Sequence, residues 1–162
     1  MKQSEIITPF VESVQELCTT MLGCENLERG KIGIVGSQND ETELTAIIGM
    51  SGPDRATIAL TFPEKTALKM VSSFMGMEMT EMDDDVADAV AEIVNIISGG
   101  AKSRLPSSDG QTFELGLPTV VQGKNYLIQS PPDAAWLDIP FSSDVGAFHI
   151  QVSFESMKKN KQ

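Results

Sequence analysis

Twelve consecutive positions, 86 to 97, hold only three polar side chains, so a helix built from them must bury most of its circumference. Nine are apolar: Val86, Ala87, Ala89, Val90, Ala91, Ile93, Val94, Ile96 and Ile97. An ordinary amphipathic helix needs a core on one side, whereas this one needs neighbours on several. Its ends are also marked. Asp83, Asp84 and Asp85 lead into it, and Lys102 and Arg104 close it before Pro106, the charge order that a helix dipole favours.

The rest of the chain supplies candidates to surround it. Residues 4–22 repeat apolar side chains at Ile6/Ile7, Phe10/Val11, Val14, Leu17/Cys18 and Met21/Leu22, predicting a first helix with Ser4 as cap and Gly23 as stop. Segments 31–36, 43–50 and 55–62 are enriched in β-branched residues and read as strands, the last two joined as a hairpin through Ser51-Gly52-Pro53-Asp54. Pro63 opens a second helix carrying Ala67, Leu68, Val71, Phe74 and Met75 on one face, closed by Gly76. Beyond Phe113, FELGLPTVV, NYLIQ, WLDIPF and AFHIQVSF read as successive antiparallel strands separated by turn residues. The order α-β-β-β-α-α-β-β-β-β predicts an α+β fold, a largely antiparallel sheet with three helices, two of them consecutive in mid-chain. A length of 162 residues suits one domain, expected over 1–157, with 158–162 a disordered basic tail.

Charge and cysteine usage exclude several functions. Twenty-three Asp and Glu against twelve Lys and Arg give a formal charge of −11, which repels phosphate backbones and anionic lipid, so neither nucleic acid nor a membrane surface is expected as a partner. No apolar run approaches ~18 residues, and MKQSEIITPF lacks the unbroken apolar stretch of a signal peptide, so a cytoplasmic protein is expected. Cys18 and Cys24 form neither a CxxC pair nor half a zinc site, and there is one histidine, so no metal site of its own is expected; two reduced, partly buried thiols are. His149 falls on the more polar face of its strand with no orienting partner that the sequence names, so a phosphohistidine role is set aside. Met70, Met75, Met77, Met79 and Met82 read as core filler, with an adaptable partner surface as the alternative. Gly33 and Gly36 lack the spacing and the following helix of a dinucleotide loop.

The three polar residues of the apolar helix are Asp88, Glu92 and Asn95, at i, i+4 and i+7, and Gly99 at i+11 continues the line. One reading is the solvated edge of a helix. The residue types point further. None is an activated nucleophile, no His or Cys stands beside them, and no carboxylate cluster completes a metal site, so covalent catalysis is disfavoured. An amide can hold a water in line with a phosphoryl group, and a neighbouring Glu can grip a Lys of a protein substrate.

These residues resemble the signature of the CheC/CheX/FliY group of chemotaxis phosphatases: Asp or Ser, three residues, Glu, two residues, Asn, about twenty-two residues, then Pro. Asp88, Glu92, Asn95 and Pro118 fill it. Flanking text agrees, with NIISGG placing Gly99 four after the Asn, LPTVVQGK around Pro118, and GMSG…TFPEKTALKMVSSFMGM before the helix. The match covers roughly residues 45–130, holds one Glu-x-x-Asn, and is similar to single-site CheX-type chains; residues 1–42 carry no specific family motif.

The resemblance implies a phosphatase that dephosphorylates the phosphoaspartate of a CheY-like response regulator. Asn95 would orient the attacking water and Glu92 would pair with the regulator's Lys, with Asp88, Gly99 and Pro118 supporting the site or touching the partner. It also implies no cofactor of its own, Mg²⁺ carried by the regulator, and a homodimer paired through its sheets, for which edge strands are apt. The alternative within the fold is a non-catalytic module that docks on a receiver domain or flagellar motor protein, and a weaker one is a small-molecule-binding or structural domain. The acidic run Glu78, Glu81, Asp83, Asp84, Asp85, Asp88 and Glu92 is expected to face Lys-bearing loops of the partner. Gly100, a second glycine inside the helix, costs roughly 1 kcal/mol of propensity and calls for a close neighbour.

Overall fold

The computed structural model describes residues 3–34, 42–106, 112–123 and 136–155. Two β-hairpins make the middle of its sheet. β3 (Leu44–Ser51) and β4 (Arg55–Phe62) pair from Leu44↔Phe62 to Ser51↔Arg55, and β7 (Leu137–Ser143) and β8 (Gly146–Phe154) pair from Leu137↔Val152 to Ser143↔Gly146. The hairpins meet where β4 pairs with β8, from Ala56↔Phe154 to Thr61↔His149. Short strands finish both edges: β1 (Glu28–Arg29) and β2 (Gly33–Ile34) on β7, β5 (Glu114–Leu115) and β6 (Thr119–Gln122) on β3. Every pairing among the described residues is antiparallel.

Side chains alternate across this sheet. Leu44, Ala46, Ile48, Met50, Ile58, Leu60, Phe62, Phe148, Ile150, Val152 and Phe154 share one buried face. Against it lie α1 (Gln3–Leu17), α2 (Glu64–Met75) and α3 (Asp84–Arg104), so the architecture is the two-layer α+β fold expected. Pro63 precedes α2, and Gly76 ends it in the left-handed conformation, φ 71°, its N–H donating to the Ser72 carbonyl.

Both edges are single strands interrupted beside a proline. A strand residue points its N–H and C=O the same way. The Pro140 carbonyl accepts from the Gly30 N–H at 2.8 Å, so the donor that Pro140 lacks faces that edge, and the neighbouring chain pairs as β1 and β2 on either side of it. On the other edge the single strand expected in FELGLPTVV is divided at Gly116-Leu117-Pro118 into β5 and β6. Segment 31–36 likewise yields only Gly33–Ile34 within the described residues, and β1 was not foreseen.

The first helix also departs from expectation. It starts at Gln3, so Ser4 lies within the first turn instead of capping it, and after Leu17 it widens into a π-helical turn, Cys18–Leu22. Thr19 and Thr20 donate their hydroxyls back to the Gln15 and Glu16 carbonyls at 2.9 and 2.7 Å, the side-chain competition that distorts a helix end. Gly23 closes the turn at φ 60°. Cys18 is buried, Cys24 half-buried, and both are free. The hydrogen bond between them raises the Cys18 pKa and lowers that of Cys24. The NYLIQ strand and the tail at 158–162 lie outside the described residues.

Candidate functional site

α3 is fixed at both ends and along one side. The Asp83 carboxylate accepts the Val86 N–H at 3.0 Å, an N-cap with Asp84 and Asp85 in the first turn. At the other end Arg104 donates to the Gly100 carbonyl at 2.9 Å and pairs with Glu16 of α1. Val86, Ala89, Val90, Ile93, Val94, Ile97, Ser98 and Ala101 are buried, which answers the demand for neighbours on several sides: α1, α2 and the β3, β5 and β6 region of the sheet all pack on this helix.

The two glycines separate these roles. A Cβ on Gly100 would collide with the Ser13 hydroxyl and stand 3.2 Å from its Cβ, so α1 occupies the space a side chain would need. The buried Ser13 hydroxyl donates to the Ile97 carbonyl at 2.7 Å, tying the helices at that approach. This is the close neighbour that a second glycine implied. On Gly99 a Cβ would lie 3.9 Å from Leu115 Cδ1 of β5, ordinary contact.

Asp88, Glu92, Asn95 and Gly99 therefore form the line expected of them, about 16 Å long at 1.5 Å per residue. Asp88 and Glu92 are exposed, and Asn95 and Gly99 half-buried. Pro118 is not on the helix; it lies half-buried between β5 and β6, the edge strands against which α3 packs. Glu78, Glu81, Asp83, Asp84 and Asp85 are all exposed, so the surface leading into the stripe is anionic. A carboxylate and an amide one turn apart on a buttressed helix can grip a cation and orient a water.

Other candidates resolve differently. Met70 is buried, Met79 and Met82 pack partly against the core, and Met75 and Met77 are exposed, so the methionines serve as filler only in part. His149 does have a partner that the sequence did not reveal. Its Nδ1 lies 2.9 Å from Asp138 Oδ1 on the sheet face away from the helices, and Gln151 Nε2 donates to the same oxygen at 3.3 Å. Counting back from the Asp144-Val145 turn would have placed Asp138 opposite Gln151. Among the described residues no three His, Cys, Asp or Glu are grouped to hold a metal ion, and no helix is long and apolar enough to cross a membrane.

Comparison with known proteins agrees with this architecture. The family model described as chemotaxis phosphatase CheX matches residues 44–142. The CheY-P phosphatase CheX of Thermotoga maritima is 30% identical over 128 residues, 78% of this chain and 81% of that protein. Among solved structures, a CheC-like superfamily protein from Shewanella sp. PV-4 is 32% identical with a TM-score of 0.79, covering 96% of this chain and 99% of its own. A CheX-CheY-BeF3-Mg²⁺ complex from Borrelia burgdorferi is similar at 26% identity and a TM-score of 0.75, covering 92% and 97%. Fold and sequence thus define a phosphatase of the CheC-like kind, built on one sheet and a helical layer. Within that class, the chain belongs to the chemotaxis phosphatase CheX family.

Proposed function

We propose that this protein dephosphorylates the phosphoaspartate of a CheY-like receiver domain, with Asn95 orienting the attacking water and Glu92 pairing with a receiver Lys. The observation that carries the reading is the placement of these two side chains, adjacent on the one polar line of a helix otherwise packed on several sides. An acyl phosphate is already reactive. As the water oxygen bonds to phosphorus, the bond to the aspartyl oxygen breaks, leaving a carboxylate and inorganic phosphate. The demand on the phosphatase is position, which a fixed amide meets without a nucleophile of its own.

Asp88 sits one turn before Glu92 and acts as a positioning residue, and Gly99 and Pro118 border the surface the partner covers. Mg²⁺ belongs to the receiver in this reading, in keeping with the Borrelia burgdorferi complex, which contains CheY, BeF3 and Mg²⁺. The anionic run beside the stripe complements Lys-bearing loops, so binding should weaken as salt rises. The protein would work as a homodimer joined through sheet edges, which sedimentation at several concentrations tests.

Loss of phosphate from a phosphorylated receiver domain is the decisive measurement. Asn95→Ala should abolish acceleration with docking retained, and Glu92→Ala should weaken docking as well. No acceleration by the wild type with any receiver domain of its organism would overturn the reading.

A further inference from the structure

Cys18 and Cys24 are the only cysteines of the chain, and the fold brings them into contact. Carried on as an α-helix, six residues would separate them by about 9 Å along the axis and set them on different faces. Two local features turn the chain back instead. The π-helical turn Cys18–Leu22 widens the end of α1, and Gly23 reverses the chain at φ 60°, a conformation that suits a residue without a Cβ. The Cys24 N–H then donates to the Cys18 carbonyl at 3.2 Å, which keeps the two Cα atoms within about 7 Å of each other. The thiols themselves are hydrogen-bonded, and a disulfide can bridge such a span.

The surroundings hold that approach and give the two sulfurs different characters. The Glu25 N–H donates to Asp144 Oδ1 at 2.8 Å and the Asp144 N–H to the Glu25 carbonyl at 3.1 Å, fastening the residue after Cys24 to the turn between β7 and β8. Cys18 is buried and Cys24 half-buried. The hydrogen bond between them is the largest influence on both. It lowers the Cys24 pKa, with help from the Ser143 hydroxyl and against burial and the Asp144 carboxylate. It raises that of Cys18, which burial and the charges of Cys24 and Asp144 raise further. The more accessible sulfur is therefore the better nucleophile, while the buried one keeps its proton.

We propose that Cys18 and Cys24 are a redox-active dithiol, in which Cys24 attacks a low-molecular-weight disulfide and Cys18 resolves the product into an intrachain disulfide. In the first step the Cys24 thiolate bonds to one sulfur of the small disulfide, whose S–S bond breaks, and the other sulfur leaves as a thiolate that takes up a proton. Cys24 is then no longer a thiolate, so the hydrogen bond that held the Cys18 proton is lost. Cys18 releases that proton to water and attacks Cys24 Sγ, expelling the second small thiol. The two protein thiols lose two electrons and two protons, and the small disulfide is reduced to two thiols. The pair lies apart from the stripe. α1 runs alongside α3 in the same direction, Ser13 bonded to Ile97 and Glu16 paired with Arg104, so Cys18 stands toward the basic end of α3 and Asp88 and Glu92 toward the other. The dithiol does not depend on the roles of Glu92 and Asn95.

The test exposes the full reduced chain to oxidised glutathione and follows it by intact mass and peptide mapping, comparing wild type with Cys18→Ser and Cys24→Ser. Wild type should lose the mass of two hydrogens and yield a Cys18–Cys24 linked peptide. Cys18→Ser should retain one glutathione on Cys24, and Cys24→Ser should react at least about tenfold more slowly than Cys18→Ser. Wild type that retains glutathione, joins two chains, or stays reduced where the urea-unfolded chain is oxidised overturns the proposal. Differential alkylation of the wild type with iodoacetamide needs no variant to fold: Cys24 should be labelled at least about tenfold faster than Cys18, and equal labelling overturns the assignment of attacking and resolving thiols.

Discussion

On its buried side α3 is hydrocarbon in close contact, with Ile93, Val94 and Ile97 at 2% exposure or less and Ser13 seated where a Gly100 side chain would be. On its other side the same helix carries Asp88, Glu92, Asn95 and Gly99 toward solvent. The first side determines where the helix stands, and the second contributes little to keeping it there. Residues on the stripe are thus free to be chosen for what they do to a partner, and their substitution should separate activity from stability.

The strongest contrast is expected from Ile93→Ala. Truncating a fully buried isoleucine should cost about 3 kcal/mol of stability, read as a lower urea midpoint, while the folded fraction keeps its KM. Two residues away the outcome should reverse. Asn95→Ala should lower turnover at least about 100-fold, about 2.7 kcal/mol of barrier, with the midpoint unmoved. If Asn95→Ala unfolds the protein instead, the stripe carries structure and the separation fails. Gly100→Ala gains about 1 kcal/mol of helix propensity but drives a methyl into Ser13, an overpacking of about 1–3 kcal/mol, so a net loss near 1 kcal/mol is expected. Pairing it with Ser13→Ala should recover part of that loss in a double-mutant cycle. The smallest effect belongs to Gly99→Ala, a stabilisation of up to about 1 kcal/mol, since its methyl meets only Leu115 at ordinary contact. Equal and like-signed shifts from the two alanines would remove the distinction between the sides.

The same contrast explains what could be read in advance. α3 was legible because an apolar run, an aspartate cap and a basic end all point to one answer, and the β3–β4 hairpin because its turn and alternation agree. The stripe followed from helical spacing alone. What escaped depends on neighbours that a linear pattern does not name. Thr19 and Thr20 look like ordinary helix surface until their hydroxyls turn back on Gln15 and Glu16 and widen the last turn. Leu117 reads as one more residue of an alternating strand, and only the pairing of Leu115 and Thr119 with β3 shows the chain leaving the ladder between them. Asp138 and His149 stand eleven residues apart in sequence, and the hairpin register makes them neighbours.

The seam between the two hairpins sets an order of events. β3–β4 and β7–β8 each close through short turns, within microseconds for such units. Joining β4 to β8 brings together residues about 90 apart, a loop whose closure entropy must be met before its contacts repay it. α2 and α3 both lie inside that loop, and Phe148, Ile150, Val152 and Phe154 share one core with Ile93 and Val94. Until the last strand docks, that core is open to water and the helix bearing Asn95 has an unfinished foundation. During refolding, phosphatase activity should therefore return with the slowest phase, after most of the helical signal has already recovered.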